Sequence, residues 1–404
     1  MHYFLLFGAA FLVLSVSCVQ DCSGESTPPQ TDGGYKKICY FTNWAIYRTG
    51  KSGNYSAENI DFAYCNFVVY AFAGLDEENN TLRITDAFAD LPDGGGHGLI
   101  GKVVSRAKAS GAVPVIALGG WNESNNTAYP VLFNNESLQD AFVTNTVVFL
   151  KKYGFQGLDL DYEYPQCPLG VCKPGDSDKK GFSKLVVKLR TEFNKHGFYL
   201  SAAVSAVISK IDTYYEPTIL QNNLHWLGLM AYDFHVAGDK TVGLTAPFFQ
   251  YGNEDPTFNV KAAVEGWLAK GVSPDKLVLG VPMYGVSYTL ADKTKNTIGS
   301  PANGPGFQKR ALFYNEICEL VKNEQWTQVT KENDKPVGGT YAYKDDQWTG
   351  YDNANDVKAK AQYIQEKHLA GYMIWALDQD DFNGVCGGGK YPLLSTLSKT
   401  IDTN

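Results

Sequence analysis

The sequence predicts an α/β protein, a (β/α)8 TIM barrel with a small α+β insertion between its seventh and eighth strands. Three observations predict it. Eight apolar, β-rich runs recur along the chain, helical patterns separate them, and about 70 residues of different character precede the last run. Such a barrel usually takes roughly 250 residues. A chain of 404 residues therefore has room for the insertion.

The eight runs are strand candidates, because each is short, apolar and bounded by turn or helix signals. In chain order they are KKICYFTNW, CNFVVYAFAG, VPVIALGGW, FQGLDLDYEY, FYLSAAVSAV, LHWLGLMAYD, KLVLGVPMYG and GYMIWALD. Strands that alternate with helices form parallel sheets, and eight such units close a barrel.

Helical patterns fill the intervals between these runs. In FSKLVVKLRTEF one apolar stripe at helical spacing is formed by Phe182, Leu185, Val186, Leu189 and Phe193. A second pattern runs from Val260 to Lys270 and stops at Gly271, a residue that commonly ends helices.

Residues 286–355 break the alternation and supply the predicted insertion. They are rich in glycine, tyrosine and tryptophan and include GGTYAYKDDQWTGYDN. Loops that follow barrel strands project at the C-terminal face of the barrel. We therefore expect a small α+β subdomain that walls one side of the barrel mouth.

The overall composition is that of a globular protein, with 44% hydrophobic and 19% charged residues. The 35 basic and 43 acidic residues give a net charge of −8, which argues against nucleic acid and other phosphate-rich partners. A neutral or cationic ligand suits this charge better. Past the N-terminus no run approaches 18 uninterrupted apolar residues, so no membrane span is expected.

The N-terminus is typical of a secreted protein. An apolar stretch from Tyr3 to Val16, followed by small residues, predicts a signal peptide over residues 1–20. A polar linker follows over residues 21–34, and the barrel domain is expected over residues 35–404. Glycosylation is permitted at five Asn-x-Ser/Thr triplets, which begin at Asn54, Asn79, Asn122, Asn125 and Asn135.

Eight cysteines in a secreted chain point first to disulfides. Cys167 and Cys172 can close one short loop, and a Cys318–Cys386 bond would clip a late segment. Cys39 and Cys65 also need partners distant in the sequence. Signal cleavage before Cys18 leaves eight cysteines, whereas cleavage after it leaves Cys22 as an odd thiol. No metal or other cofactor is expected, because no Cys or His cluster has zinc spacing.

The run GFQGLDLDYEYPQ places three acids, Asp159, Asp161 and Glu163, two residues apart. Side chains alternate along a strand, so the acids share one face and the intervening apolar residues share the other. The apolar face belongs under the helices, so the acids point into the barrel, with Glu163 nearest the C-terminal rim. Like charges at this spacing predict at least one raised pKa. An acid can then stay protonated near neutral pH.

The competing interpretation is that the three acids are metal ligands or belong to a buried ion-pair network. The run contains no histidine or lysine that would pair with them. Three acids in this register at a strand end are also unusual for a structural network. We therefore favour a catalytic site.

The run GLDLDYEYP resembles the signature of the family 18 glycoside hydrolases, the chitinases and their inactive chitin-binding relatives. The resemblance extends in the same order through ICYFTNWAIYR, YAFAG, ALGGW, MAYDFH, PMYG, GYDN and MIWALDQDDFNG to YPLLSTL, nearly the whole mature chain. It is nearest to the animal chitinases. No separate chitin-binding module is recognisable. The resemblance implies a monomeric, extracellular enzyme whose partner is chitin or chito-oligosaccharides.

The resemblance also implies roles for the acids. Glu163 would protonate the scissile glycosidic oxygen, Asp161 would orient the substrate's N-acetyl group, and Asp159 would share a proton with Asp161. The 2-acetamido oxygen of the substrate would replace a second carboxylate as the nucleophile. Tyr232 would hydrogen-bond that oxygen, and Asp233 would help to hold a distorted sugar ring.

Further positions in the matching motifs are expected to contact substrate, because flat rings stack on the apolar faces of sugars. Trp375 resembles the tryptophan floor beneath the scissile bond, and Trp44 resembles an outer platform. The other expected contacts are Tyr40, Phe72, Trp121, Met230 and Tyr284. An aromatic on a barrel strand is more often core than ligand contact. That interpretation is kept for Trp226, Trp267 and Trp326.

Four positions depart from the family pattern. Gln156 and Tyr162 stand where an Asp and a Trp are usual, but both lie on the strand face opposite the acids. Gly238 stands where animal chitinases often carry a tryptophan on the leaving-group side, and Val286 replaces a frequent Arg or His near the substrate. A hydrolase is favoured over a chitin-binding lectin or a signalling relative, because those usually alter the acids that are intact here.

Overall fold

The computed structural model describes residues 34–49 and 53–403. The predicted signal peptide, the linker up to residue 33 and the cysteines Cys18 and Cys22 lie outside these residues. Within the described part of the chain, no helix combines the length and the apolar character needed to cross a bilayer.

Strands make up the barrel, a hairpin on its rim and the insertion. They are β1 (Lys36–Thr42), β2 (Phe67–Asp76), β3 (Thr81–Ile84), β4 (Val113–Gly119), β5 (Gly157–Asp161), β6 (Tyr199–Ser205), β7 (Trp226–Met230), β8 (Leu277–Pro282), β9 (Tyr284–Leu290), β10 (Ala302–Pro305), β11 (Leu312–Phe313), β12 (Thr327–Glu332), β13 (Lys335–Lys344), β14 (Gln347–Tyr351) and β15 (Gly371–Trp375).

Helices surround the barrel and connect its strands. They are α1 (Ala87–Asp90), α2 (Leu99–Ala109), α3 (Ala128–Phe133), α4 (Glu136–Tyr153), α5 (Ser177–Asn194), α6 (Ile211–Tyr214), α7 (Pro217–Asn223), α8 (Val260–Ala269), α9 (Tyr314–Asn323), α10 (Ala354–Glu366) and α11 (Pro392–Asp402). The two predicted helical patterns lie in α5 and α8.

Eight of the strands form a closed parallel barrel, as predicted. Its neighbours run β1, β15, β8, β7, β6, β5, β4 and β2, and β1 pairs with β2 to complete the ring. Strand β3 adds antiparallel to β2 as a short hairpin on the rim. Closure leaves the eight barrel strands no free edge and brings their C-terminal ends to one mouth.

The pleat of the strands separates two apolar layers. Leu158 and Leu160 of β5 pack in the layer between strands and helices, whereas Asp159 and Asp161 alternate with them. The barrel interior is filled by a second set of buried side chains, among them Ile38, Tyr40, Phe67, Val69, Val115, Trp226 and Met373. The strand alternation predicted for β5 is therefore present, and it directs the acids inward.

The insertion follows β8 directly. Strands β9, β10 and β12 to β14 form one antiparallel sheet, β11 pairs with β9, and α9 packs beside them. Its first strand begins at Tyr284, two residues before the predicted start. The three tryptophans assigned to core are buried: Trp226 in the barrel interior, Trp267 under the helices and Trp326 in the insertion.

Three disulfides lie within the described residues. Cys39–Cys65 joins β1 to the residues before β2, Cys167–Cys172 closes a short loop after β5, and Cys318–Cys386 joins α9 to the chain beyond β15. The middle bond lies close to the acids. The backbone N–H of Leu169, within this loop, donates to the Glu163 carbonyl oxygen over 2.7 Å.

Candidate active site

The three acids form a column that rises from the barrel interior to its mouth. Asp159 and Asp161 lie on β5, and Glu163 lies two residues beyond the end of that strand. Asp159 is the deepest member and does not line the open cavity, whereas Asp161 and Glu163 do. The sequence order of the acids thus becomes an order of depth.

Asp159 is held by two hydroxyl groups from neighbouring strands. Tyr40 of β1 donates to its Oδ2 over 2.6 Å, and Ser201 of β6 donates to its Oδ1 over 2.5 Å. Burial raises the pKa of Asp159, and these two hydrogen bonds act against that increase. Both oxygens of the Asp159 carboxyl group therefore accept hydrogen bonds from other strands of the barrel.

Asp161 is 4% exposed, and its Oδ1 has no hydrogen-bond partner among the described residues. Burial raises the pKa of Asp161 well above its ordinary value, and the charges of Glu163 and Asp159 raise it further. A buried polar atom without a partner is rare and needs an explanation. Because this residue lines the cavity, a bound ligand can supply that partner.

Glu163 is anchored through its backbone. Its N–H donates to Ser124 Oγ over 2.8 Å, and Ser124 Oγ donates in turn to the Gly120 carbonyl oxygen over 2.9 Å. Burial raises the pKa of Glu163 to about 7, with a further increase from Asp233, while a hydrogen bond from Tyr164 lowers it. The sequence argument gave repulsion between like charges as the cause of a raised pKa. The structure assigns the larger effect to burial.

Residues at the ends of β7 and β8 face the acids across the mouth. Met230, Tyr232 and Asp233 all line the cavity. Tyr284 hydroxyl donates to Asp233 Oδ1 over 2.7 Å, and Thr245 Oγ1 donates to the same atom over 3.4 Å. Tyr284 itself is buried and does not line the cavity, so its predicted direct contact with a substrate stays a prediction. It lies behind Asp233 because its hydroxyl is turned to that carboxylate.

The cavity at the barrel mouth has a volume of about 830 Å³. It falls in the range typical of ligand sites. Its wall is largely aromatic and aliphatic, and its carboxyl groups come from Asp161, Glu163 and Asp233. Predicted substrate contacts that line it are Tyr40, Trp44, Phe72, Trp121, Met230, Tyr232, Asp233 and Trp375.

Aromatic rings form a continuous group on one side of this cavity. Trp375 lies with its ring centroid 5.4 Å from Tyr40, 5.6 Å from Phe72 and 6.2 Å from Trp44. Trp121 and Trp44 are 52% and 41% exposed, whereas the deeper Tyr40 is buried. Two exposed tryptophans beside a cavity provide flat apolar surface for a ligand with flat apolar faces.

Two of the four atypical positions lie away from the cavity wall. Val286 is buried in the core of the insertion with Val242 and Leu244, so the expected effect of this residue on a substrate is not supported. Its side chain points into the insertion because β9 belongs to that sheet. Gly238 is exposed on the loop after β7 and does not line the cavity.

Tyr162, a third atypical position, lies on the strand face expected for it. Its ring packs under α3, with its centroid 4.7 Å from that of Tyr129 and 5.2 Å from that of Phe133. Gln156 precedes β5, where its backbone N–H donates to the Pro114 carbonyl oxygen over 2.8 Å. Neither residue lines the cavity.

Several cavity residues escaped the sequence analysis. Tyr164 directly follows Glu163 in the motif, so the sequence could have indicated it as a site residue. Its ring stacks on that of Tyr214, with the centroids 4.7 Å apart. Ile208, Val236 and Phe258 carried no signal because they lie outside the predicted strands. Only the packing of their segments brings them to the mouth.

One group of three potential metal ligands lies within the described residues, at Cys318, Cys386 and Asp381. Both cysteines are consumed by their disulfide. Asp381 accepts the backbone N–H groups of Val385 and Cys386 over 2.9 and 2.8 Å. These three side chains therefore stabilise a loop, and their disulfide and hydrogen bonds do not suit a metal ion.

Known chitinases are similar to this chain over most of its length. Probable chitinase 10 of Drosophila melanogaster is 38% identical over 382 residues, which cover 93% of this chain but 16% of that protein. Chitotriosidase-1 of Mus musculus is 34% identical over 385 residues, which cover 91% of this chain and 78% of that protein.

Solved structures give the same picture. Catalytic domain 2 of the Ostrinia furnacalis Group II chitinase, a mutant in complex with (NAG)5, superposes with a TM-score of 0.87 at 39% identity, over 92% of this chain and 97% of that one. Human YKL-39, described as a pseudo-chitinase with retained chitooligosaccharide binding properties, gives 0.81 at 29% identity, over 92% and 100%.

The family model for Glycosyl hydrolases family 18 matches residues 36–380. This range runs from the start of β1 to the residues just past β15, so it includes the barrel, the insertion and the column of acids. The chain therefore belongs to the family 18 glycosyl hydrolases.

Proposed function

We propose that the protein is a secreted chitinase that hydrolyses β-1,4 bonds of N-acetylglucosamine polymers with retention of configuration. One observation carries the proposal: Glu163 has a pKa of about 7 at the mouth of an aromatic cavity, above Asp161, whose Oδ1 has no hydrogen-bond partner within the described part of the chain. A carboxyl group with this pKa is protonated in a useful fraction of molecules near neutral pH and can act as a general acid.

In the proposed reaction, Glu163 donates its proton to the glycosidic oxygen as the bond to the leaving sugar breaks. The 2-acetamido oxygen of the sugar on the non-reducing side attacks the anomeric carbon and forms a cyclic intermediate, which water then opens. Glu163 recovers its proton from that water. Asp161 orients the acetamido N–H, and its free Oδ1 is suited to that task.

The remaining predicted residues support this arrangement. Tyr232 hydrogen-bonds the acetamido oxygen from the opposite wall, and Asp233, fixed by Tyr284, holds the distorted sugar ring. Burial raises the pKa of Asp161, and the charge of Asp159, whose oxygens are held by Tyr40 and Ser201, adds to that increase. Trp375 supplies the floor under the scissile bond.

A chitin-binding protein without hydrolysis is the alternative, and the likeness to YKL-39 favours it as a second candidate. The fold and the aromatic wall suit both functions equally. The acid at position 163 favours hydrolysis, because binding alone needs no proton donor.

Release of fluorophore from a labelled N,N′-diacetylchitobiose separates the two. We expect turnover by the wild type and a loss of about 10²- to 10⁴-fold in Glu163→Gln, because the amide keeps the shape but cannot donate a proton as an acid. Oligosaccharide binding by calorimetry should be retained in the variant. Binding without turnover by the wild type between pH 3 and pH 9 would establish the lectin function instead.

The route of the reaction is tested by its products. Acetamido participation requires an N-acetylated sugar on the non-reducing side of the cleaved bond and a first product of β configuration. Partly deacetylated chitosan should therefore be cut only after acetylated units. Frequent glucosamine at the new reducing ends, or an initial α-anomer in proton NMR, contradicts the route. A thiazoline analogue of the intermediate should inhibit competitively.

The proposed domain organisation and location complete the function. Residues 1–20 act as the signal peptide, residues 21–34 as a linker and residues 35–404 as the catalytic domain, which works outside the cell as a monomer. Expression in insect cells, followed by N-terminal sequencing of protein from the medium, tests this. Protein retained in the cells with residue 1 intact would contradict secretion.

A further inference from the structure

A histidine lies between two carboxyl groups in the loop that follows β7. Its Nδ1, that of His235, is 3.2 Å from Asp239 Oδ2, and its Nε2 is 2.5 Å from Glu254 Oε2. The His235 side chain is 12% exposed. It does not line the cavity at the barrel mouth and has no part in the proposed reaction. A titratable group buried this close to a candidate site suggests a functional role.

Both ring nitrogens of His235 are satisfied only when the imidazole carries a positive charge. A neutral imidazole has one N–H donor and one acceptor nitrogen, so one of the two carboxylates would face a lone pair. An imidazolium ion donates from both nitrogens. Burial lowers the pKa of His235, but the hydrogen bonds and charges of Glu254 and Asp239 outweigh burial and raise it above its ordinary value. The contacts of His235 therefore favour its charged form.

Within the described residues, the charged groups that face the His235 ring are these two carboxylates, and neither has another ion-pair partner there. Burial and the charges of Asp239 and Glu254 raise the pKa of Tyr288 on β9, so this phenol stays neutral. Tyr251 lines a small recess together with His235 and donates its hydroxyl to a glutamate of β12 over 3.0 Å. Loss of the proton from His235 would therefore leave two acids close together without a cation.

A glycine makes room for the His235 ring on the side of the insertion. A Cβ atom added to Gly243 would lie 2.3 Å from Cγ of His235. The φ of Gly243 is outside the left-handed region, so this position requires glycine for space and not for backbone freedom. Its neighbours Val242 and Leu244 pack in the core of the insertion. His235 therefore lies where the loop after β7 meets the insertion.

The loop that His235 holds forms part of the cavity wall. Val236 and Phe258 line the cavity, and the Phe258 ring centroid is 6.4 Å from that of His235. Asp239 also accepts the N–H of Val236 over 3.1 Å. Asp233, at the start of the loop, has a φ of 56°, a left-handed conformation that costs energy for a residue other than glycine. Contacts of the residues after Asp233 therefore help to keep the loop in this conformation.

We propose that His235 is a positioning residue for the substrate site: in its charged form it joins Asp239 to Glu254 and so holds the loop after β7 in place as a wall for the sugar chain. The inference rests on the proposed function and deepens it, because it makes substrate binding depend on a second proton besides that of Glu163. Below the ordinary pKa of histidine, roughly 6.5, the imidazolium and its two hydrogen bonds are fully present. As the pH rises through the raised pKa of His235, the proton is lost and binding weakens.

The affinity for N-acetylchitotetraose, measured by calorimetry against pH, tests this role. The Glu163→Gln background removes the titration of the proton donor. In this background the affinity should fall roughly fivefold or more between pH 6 and pH 9, the effect of about one hydrogen bond to a charged group. His235→Gln, which cannot carry a charge, should bind with the weaker affinity throughout and lose most of the pH dependence.

His196→Gln in the same background is the matched control. His196 pairs with Glu192 just after α5, away from the cavity wall, so its replacement should leave the affinity and its pH dependence unchanged. Asp161 titrates in all of these proteins, so its contribution cancels in the comparison.

Glu254→Gln moves a quantity that a purely structural role would leave unchanged. Removal of this negative charge should lower the pKa of His235. The midpoint of the imidazole titration in NMR and the pH at which the affinity falls should therefore move down together. This variant also tests the proposal if His235→Gln does not fold.

The outcomes distinguish the two proposals. Absence of oligosaccharide binding in both the wild type and Glu163→Gln would mean that the proposed function fails. Binding that keeps its pH dependence in His235→Gln, or that does not follow the imidazole midpoint in Glu254→Gln, would overturn the role of His235.

Discussion

Three carboxyl groups in this protein stand where burial opposes their ionisation, yet each has different partners. Asp159 accepts two hydroxyl hydrogen bonds, Asp161 leaves Oδ1 free, and Glu163 reaches the cavity mouth. These differences in depth and bonding are consistent with the different role proposed for each acid. A single one of them, Glu163, combines access with a pKa near neutrality.

In the proposed reaction, the pKa of Glu163 is expected to set the alkaline limit of activity. The general acid acts in its protonated form, and burial raises its pKa to about 7. Activity should therefore not be limited by this group well below pH 7, and kcat/KM should fall about tenfold per pH unit above it. A pH profile on labelled diacetylchitobiose measures this. Activity that still increases above pH 8 would exclude Glu163 as the proton donor.

Ser124 is expected to act as a positioning residue for Glu163. Ser124→Ala removes the acceptor of the Glu163 N–H and should lower kcat roughly tenfold, the effect of about one hydrogen bond. Oligosaccharide binding should change little, and the alkaline limb of the pH profile should move as the carboxyl shifts. Ser124→Thr keeps the hydroxyl and should restore both. All variants should be produced in bacteria, because Ser124 completes the glycosylation triplet that begins at Asn122 and Ser124→Ala removes that triplet. Equal losses in binding and kcat would indicate a structural role only.

Each disulfide stabilises a different length of chain. Cys39–Cys65 spans 26 residues and ties β1 to the entry of β2, whereas Cys167–Cys172 spans 5 residues within one loop. Closing a longer loop removes more entropy from the unfolded chain. The bond next to the first barrel strand should therefore contribute more to the free energy of unfolding.

Paired alanine variants test this difference. Replacing Cys39 and Cys65 should lower the free energy of unfolding by about 1.5 kcal/mol more than replacing Cys167 and Cys172, from the ratio of loop lengths. Urea unfolding followed by tryptophan fluorescence provides the values. A larger loss from the short loop would show that local packing near Glu163, and not loop entropy, dominates.

At the scale of the whole molecule, one buried lysine connects the insertion to the barrel. Lys360 of α10 is 0% exposed, pairs with Asp352 at the end of the insertion and donates to the Ala246 carbonyl oxygen over 2.8 Å. Ala246 belongs to the segment after β7 that helps to form the cavity side. Three separate parts of the chain therefore meet at one ammonium group.

Loss of this lysine should destabilise the whole domain. Lys360→Met leaves Asp352 buried without its partner and should lower the free energy of unfolding by about 3 to 5 kcal/mol. The double variant with Asp352→Leu should recover much of the loss. Lys367→Met, which removes a partly exposed pair with Glu265, should change it by less than about 1 kcal/mol. Equal effects of the two lysine variants in urea unfolding would refute this account.

The sequence by itself determined the barrel and the column of acids, because both depend on local periodicity. Alternation in GLDLDYEYP decides that Asp159 and Asp161 share a face opposite Leu158 and Leu160, whatever surrounds them. Eight short apolar runs separated by helical patterns leave few other architectures. The short Cys167–Cys172 loop was likewise readable from spacing alone.

Tertiary structure alone decided which loop residues complete the site. Ser124 reaches the Glu163 backbone from 39 residues away, Tyr284 turns behind Asp233, and Val286 enters the insertion core. Such contacts depend on how loops pack against one another, and loops carry no periodic pattern from which their mutual approach follows.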